Sequence, residues 1–321
     1  MDHSAPPGPP IFIVGCGRSG TTMLRLMFDS HPDVAIPGES HFIPKLWKEC
    51  ARFQREGRLD VAGLVDAILS VGSVRRWEVP RDMIEERVRA VSEPTYAAVV
   101  EAVFLAYADL HGKSRWGDKT PKYVVDIPLL SKLYPSGLFI HIIRDGRDVA
   151  LSYLDRREYP YTIWQAAHRW SQMTGAGIEH GRGLGPSRYL ELRYEDLVAD
   201  PTAELKRACE FAELWFDKAM LEYHLDAESR IEARPDKLRF HGGVASPPTA
   251  GLRDWRTQMS PRDVLAFESV AGTLLSSLVY ERAYDPLPAG ARLRGMLHAA
   301  GVETRLAGSR AKTAVLRRSS R

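Results

Sequence analysis

The sequence predicts an α/β fold with a mostly parallel sheet. Three observations carry that prediction. Short apolar, β-prone runs alternate along the chain with stretches of helical periodicity. Two of the runs, 11–14 and 138–143, lead straight into a polar turn and then a helix. Neither alternates with polar residues as a strand with one wet face would, so both read as strands covered on two faces.

The elements follow in order. Residues 1–10 (MDHSAPPGPP) read as a flexible leader. The strand Ile11-Phe12-Ile13-Val14 stops at Gly15. A helix over 22–30 carries Met23, Leu24, Leu26, Met27 and Phe28 and is ended by His31-Pro32. Val34-Ala35-Ile36 is a second strand, closed by Pro37-Gly38. The segment 42–112 is mostly helical and cap-like, with Val61–Leu69 and Tyr96–Leu110 carrying the pattern. Arg115-Trp116 is strand-like and runs into a polar segment, Gly117 to Lys122. The clearest buried strand is Leu138–Ile143, followed by a helix through about Arg157 and a longer one near 163–178. A strand at 189–192 precedes a helical stretch, 195–211, broken at Pro201. Residues 226–260 show little periodicity, and a loop that long is expected to be functional or mobile. Ser260 as N-cap and Pro261 in the first turn open a last helix to about Tyr280. The domain is expected to span 11–286, with a basic C-terminal tail over 287–321.

Composition excludes several classes. Hydrophobic residues are 44% and charged residues 26%, ordinary for a globular chain. The net charge of +3 conceals an asymmetry: after Glu303 the only charges are Arg305, Arg310, Lys312, Arg317, Arg318 and Arg321. Without those six, 38 basic residues face 41 acidic ones, so a nucleic-acid-coating surface is not expected. No apolar run approaches the ~20 residues of a membrane span. The leader lacks a basic and an apolar region of a secretory signal. Cys16, Cys50 and Cys209 form no CxxC pair, which disfavours zinc and disulfides and suits a reducing, cytoplasmic setting.

Two segments carry anion chemistry. Gly15-Cys16-Gly17-Arg18-Ser19-Gly20-Thr21-Thr22 joins a strand to a helix. Such a loop wraps an anion with backbone N–H groups, and the helix dipole assists. It matches GxGxxG, although Glu39, at the distance of a ribose-binding acid, follows Pro37-Gly38 instead of a clean strand. It also matches the GxxxxG of a P-loop, but Thr21 stands where the phosphate-reaching Lys belongs. A Gly-rich turn with capping threonines is the plain structural alternative, and it has no use for Arg18. The second segment is Arg144-Asp145-Gly146-Arg147-Asp148 through Ser152, at the carboxyl end of a strand where open α/β sheets bind ligands. A metal-dependent P-loop enzyme would place an acid first there; this chain places Arg144, a bidentate phosphate ligand. Helical spacing puts Ser152 and Arg156 on one face. Asp145, Arg147 and Asp148 read as salt-bridge or capping residues.

The Arg18-Ser19-Gly20-Thr21-Thr22 element resembles the 5′-phosphosulfate loop of sulfotransferases that use 3′-phosphoadenylyl sulfate (PAPS), in particular the branch of tyrosylprotein sulfotransferases and many bacterial members. The run from Arg144 to Ser152 resembles the 3′-phosphate element of the same family. The resemblance implies a three-layer, P-loop-like α/β fold and PAPS as co-substrate with no metal. It implies transfer of the sulfuryl group to a hydroxyl or amine of a small-molecule, carbohydrate or peptide acceptor. Pro37-Gly38-Glu39-Ser40 is similar to the family's Gly-Glu-Glu-Thr region, with Glu39 on the glutamate that acts as base; His41 is the alternative base. Lys119 falls on the family's transition-state lysine, against the reading of 117–122 as a charged surface turn. Arg18 joins it in stabilising charge, and Arg156 is expected beside Arg144 and Ser152. Tyr194 matches a cofactor-touching tyrosine in a Tyr-Glu-x-Leu element, or is a packed tyrosine with a satisfied hydroxyl. Where the family has a Lys-Trp pair, this chain has Asp254-Trp255, so Arg253 is expected to supply the cation. Two rivals stay open: a P-loop kinase-like phosphotransferase and a non-catalytic nucleotide-binding module.

Overall fold

The computed structural model describes residues 8–155, 161–227, 245–249, 251–295, 297–298 and 301. The chain groups into two compact units, 1–143 with 176–250 and 144–175 with 251–321.

The first unit contains the sheet. Along its chain run β1 (Ile11–Gly15), α1 (Thr21–Asp29), β2 (Val34–Ala35) and α2 (Ile43–Lys48). A small hairpin follows, β3 (Gln54–Arg55) with β4 (Arg58–Leu59). Its two turn residues, Glu56 and Gly57, both have positive φ, which matches the strand twist. Then come α3 (Val61–Leu69), α4 (Gly72–Arg75), α5 (Arg81–Arg89), α6 (Tyr96–Leu110), β5 (Arg115–Lys119), α7 (Ile127–Leu133) and β6 (Leu138–Ile143). The helical character expected for 42–112 is therefore present, interrupted by the hairpin.

The second unit begins with α8 (Gly146–Leu154) and the first part of α9 (Ile163–Arg182), whose residues from Ala176 belong to the first unit. The first unit then resumes with β7 (Tyr189–Arg193), α10 (Tyr194–Ala199) and α11 (Pro201–Phe211). The second unit ends with α12 (Trp255–Gln258) and α13 (Pro261–Ser277).

The sheet is parallel, in the order β2-β5-β1-β6-β7. From β1 the chain builds one side of the sheet and then the other, so the carboxyl end of β1 is the switch point where such sheets bind ligands. Helices cover both faces. Ile11, Ile13, Ile140, Ile142 and Leu192 pack with Leu24, Met27 and Phe28 of α1 and Leu205 and Ala208 of α11. On the other face Phe12 stacks on Phe139 at 5.1 Å and meets Trp116 edge-on at 5.7 Å. Phe104 of α6 stacks on Trp116 at 4.6 Å. The three-layer α/β architecture lies within this unit, and it explains why β1, β5 and β6 are buried along their whole length.

In the second unit Asp145 caps α8, its carboxylate accepting from Arg147 N at 2.9 Å. The Arg147 side chain is fully buried among Asp145, Glu268 and Trp255. Ser260 caps α13 as expected, accepting from Asp263 N.

The structure corrects one expectation and removes one alternative. Residues 226–260 are not loop throughout: α12 occupies Trp255–Gln258, capped by Asp254, and four residues are too few to show a period. Most of the remainder, 228–244 with His241, and residue 250, lies outside the described residues. The polar segment after Trp116 does not leave the sheet at Gly117 as a surface turn. Asp118 and Lys119 stay in β5, at 1% and 3% exposure; Glu39, 80 positions earlier, compensates the burial of Lys119, whereas both carboxylate oxygens of Asp118 are buried with no hydrogen-bond partner among the described residues.

Candidate active site

The loop between β1 and α1 departs from ordinary backbone at two residues. Arg18 has φ 74° and Gly20 φ 93°. No side chain caps α1, and its first turn holds no acid, so neither offsets the positive helix end. Ser19 is fully buried, and its Oγ has no hydrogen-bond partner among the described residues. Thr21 is buried and Thr22 half-buried. A buried hydroxyl without a partner beside an uncapped helix start suits an anion with several acceptor oxygens.

Tyr194, the first residue of α10, lies over this loop. A Cβ at Gly20 would sit 2.5 Å from Tyr194 Cδ2 and 2.9 Å from Cε2. Gly20→Ala is expected to lower stability by about 1–3 kcal/mol, from positive φ and from the displaced ring. Adding Tyr194→Ala should return the steric part and leave the backbone part; thermal unfolding of the three variants measures both.

Two further segments of the first unit reach the loop. Lys119, at the end of β5, donates to Glu39 Oε1 at 2.7 Å and to Thr22 Oγ1 at 3.5 Å. Glu39 Oε2 pairs with His41 Nε2 at 3.0 Å. Burial works to raise the Glu39 carboxyl, but Lys119 and His41 outweigh it and hold it well below the usual carboxylate range. Burial pulls the Lys119 ammonium down, against the opposing pull of Glu39. The result is a closed ion pair connecting a candidate base to the anion loop.

A buried polar cluster fixes the Glu39 segment. Ser40 is fully buried; its N–H donates to Thr120 Oγ1 at 3.1 Å, and its hydroxyl lies 2.9 Å from Tyr123 Oη. Ser73 Oγ donates to Ser40 O at 2.8 Å, and Trp77 Nε1 to Gly38 O at 3.2 Å. Asp118 lies against the same cluster, and burial pushes its carboxyl up to about 6. Sequence reasoning assigned none of Ser40, Ser73, Trp77, Asp118, Thr120 and Tyr123 to the site. Their partners are 33 or more positions away, beyond any local signal.

The structure thus brings Arg18, Ser19, Gly20, Thr21, Thr22, Glu39, Lys119 and Tyr194 to neighbouring segments of one unit. Arg144 and Ser152 belong to the other. Arg144 is 8% exposed, its carbonyl accepts from Trp170 Nε1 at 3.0 Å, and its guanidinium lies 3.8 Å from Asp148. Ser152 is buried on α8. Arg156 lies outside the described residues. Arg253 pairs with Asp155 at 2.5 Å. Among the described residues no group of His, Cys, Asp and Glu is arranged to hold a metal ion, and no helix is long and apolar enough to cross a membrane.

Comparisons with known proteins point to one family. The chain is 25% identical over 297 residues to protein-tyrosine sulfotransferase A of Caenorhabditis elegans, covering 87% of this chain and 69% of that protein. It is 24% identical over 297 residues to human protein-tyrosine sulfotransferase 1, covering 87% and 71%. In fold it is similar to the sulfotransferase domain of the Synechococcus PCC 7002 olefin synthase, with a TM-score of 0.58 at 24% identity over 86% of this chain and 96% of that one. The profile of the sulfotransferase family matches residues 9–218, and with that match the chain belongs to the sulfotransferase family, enzymes that transfer sulfuryl groups.

Proposed function

We propose that the chain transfers the sulfuryl group of PAPS to the phenolic hydroxyl of a peptide tyrosine. One observation carries the mechanism: Lys119 touches both Glu39 and Thr22, so a base, an ammonium and the start of α1 form one connected group. The relatives named as protein-tyrosine sulfotransferases support the acceptor class.

The residues present fit PAPS on structural grounds. Ser19 Oγ is a buried hydroxyl without a partner among the described residues, and α1 begins without a side-chain cap. Arg18, Ser19, Gly20, Thr21 and Thr22 would hold the 5′-phosphosulfate, with Tyr194 against the loop. Arg144 and Ser152 are proposed for the 3′-phosphate; Arg156 is proposed with them from the sequence. When bound, PAPS supplies an activated sulfuryl group on a good leaving phosphate, so no metal is required.

The remaining steps belong to this chain's side chains. Glu39 takes the proton of the acceptor hydroxyl as that oxygen forms its bond to sulfur. The S–O bond to the leaving phosphate breaks, its electron pair stays on the phosphate, and adenosine 3′,5′-bisphosphate departs. Lys119 and Arg18 stabilise the charge that develops, as preorganised donors do elsewhere.

A ligand panel in thermal unfolding tests the reading. At a hundredfold excess over Kd, adenosine 3′,5′-bisphosphate should add ~2.7 kcal/mol, a rise in Tm of roughly 5–10 °C, without metal. Stabilisation by NAD, or a strict need for Mg²⁺ with ATP, would overturn it. Transfer of ³⁵S from labelled PAPS to tyrosine peptides should fall ~10²–10⁴-fold in Glu39→Ala. Equal rates in variant and wild type would remove Glu39 as the base.

A further inference from the structure

We propose that His41 is a positioning residue for Glu39, holding one carboxylate oxygen so that the other stays aimed when Lys119 turns to the transferring group. The inference rests on the reading of Glu39 as base and adds a residue outside the motif that suggested it.

The first support is the division of the carboxylate. Oε1 is held by Lys119 at 2.7 Å and Oε2 by His41 at 3.0 Å. Among the described residues these are the two side chains paired with it, and they have different obligations. Lys119 also reaches Thr22 at the start of the anion loop, so a bound anionic sulfuryl group competes with Glu39 for its ammonium. A lone carboxylate released by its cation rotates about its terminal torsion, which is broad. With His41 in place, one oxygen stays fixed and the freed oxygen keeps its direction toward an acceptor. Orientation of this kind is a large part of what a catalytic group contributes.

The second support is the backbone at residue 41. His41 has φ 58°, a left-handed conformation uncommon for a residue other than glycine. Packing of the imidazole does not account for it, since the side chain is 53% exposed. Its neighbours account for how the conformation is held. Ser40 and Phe42 are both fully buried, and Ser40 is tied to Thr120, Tyr123 and Ser73. The chain is thus pinned on both sides of one strained, exposed residue whose ring points back to Glu39. Strain held by surrounding structure and directed at a functional group is the pattern of a preorganised site.

His41→Gly separates this role from folding, because glycine suits the observed backbone and removes the ring. The variant should unfold at the same temperature as wild type or higher. It should bind adenosine 3′,5′-bisphosphate with unchanged Kd. Its kcat for ³⁵S transfer from PAPS to a tyrosine-containing peptide should fall roughly ten- to a hundredfold, with KM for PAPS unchanged. His41→Gln, which restores an N–H donor, should recover most of the lost rate. Full kcat in His41→Gly overturns the proposal, as does a His41→Gln variant no faster than His41→Gly. Glu39→Ala is run in parallel. If it is inactive while His41→Gly is fully active, the positioning role alone fails; if it is fully active, the base assignment fails and the positioning role with it.

Discussion

Arg147→Met should destabilise the second unit by about 3–5 kcal/mol, the scale of a buried ion pair broken on one side. Arg147 has no exposure, and each of its three side-chain nitrogens donates. Nε and Nη2 bind the two oxygens of Asp145 at 3.0 and 2.7 Å. Nη1 binds Glu268 Oε1 at 2.7 Å, and Nη2 also reaches Glu281 O at 2.6 Å. The guanidinium lies over the Trp255 ring, 3.5 Å from its centroid. Methionine fills the volume but removes the guanidinium between Asp145 and Glu268; Glu268 Oε2 keeps Arg282 Nε at 3.7 Å. Lysine is not a substitute, since one ammonium cannot reproduce a planar fork that serves four acceptors and an aromatic face.

The compensating change follows from the same geometry. Arg147→Met with Glu268→Gln removes one stranded carboxylate and should recover part of the loss. Recovery stays partial because Glu268 also accepts from Ala283 N at 2.9 Å and Tyr284 N at 3.0 Å. Chemical denaturation of the two single variants and the double variant gives the coupling. A loss under about 1 kcal/mol in Arg147→Met would show that Arg147 is not the cation on which α8 and α13 depend. Because α8 carries Ser152 and follows Arg144, the same variant should weaken binding of adenosine 3′,5′-bisphosphate if those residues hold its 3′-phosphate.

Arg147 also shows where sequence reading stops. Its role as a capping or salt-bridge residue was legible from Asp145-Gly146-Arg147-Asp148, and Asp145 is indeed the cap of α8. The partner that makes it a hub is Glu268, 121 positions on, and nothing in a local pattern announces that pairing. The anion loop is the opposite case. Its glycines, Arg18 and threonines are contiguous, because a turn that wraps an anion is built by neighbouring residues, so residue types and order were sufficient. β1 and β6 were equally plain, being apolar without interruption. β5 was only half visible. Asp118 and Lys119 end a strand with two charges, which local propensity reads as a turn. The structure retains Lys119 because Glu39, 80 positions earlier, supplies its counter-charge. His41 was named as an alternative base, but its left-handed backbone had no herald, since neither Gly nor Asn stands there.

Lys119→Met should lower kcat/KM for sulfuryl transfer by about 10²–10³, the usual cost of removing one preorganised donor to developing charge. Methionine retains the apolar stem at a position whose side chain is 4% exposed, so the fold should persist. The pH dependence distinguishes loss of charge from loss of shape. In the wild-type protein Lys119 and His41 together outweigh burial and hold the Glu39 carboxyl low. Its ionised form therefore contributes stability at pH values above its unfolded value of about 4.3, and that contribution fades as the pH falls toward the depressed folded value. Without Lys119, burial acts upward and His41 alone opposes it. The carboxyl climbs, and its protonated, inactive form persists to higher pH. The acid limb of kcat/KM, which reports the free enzyme, should move up in Lys119→Met, while the wild-type profile stays flat down to acid unfolding. Lys119→Arg retains a cation and should keep the wild-type limb even if its larger head slows transfer. An acid limb unmoved by Lys119→Met would mean that Lys119 does not set the charge of Glu39, and the ion pair at 2.7 Å would be a structural contact alone.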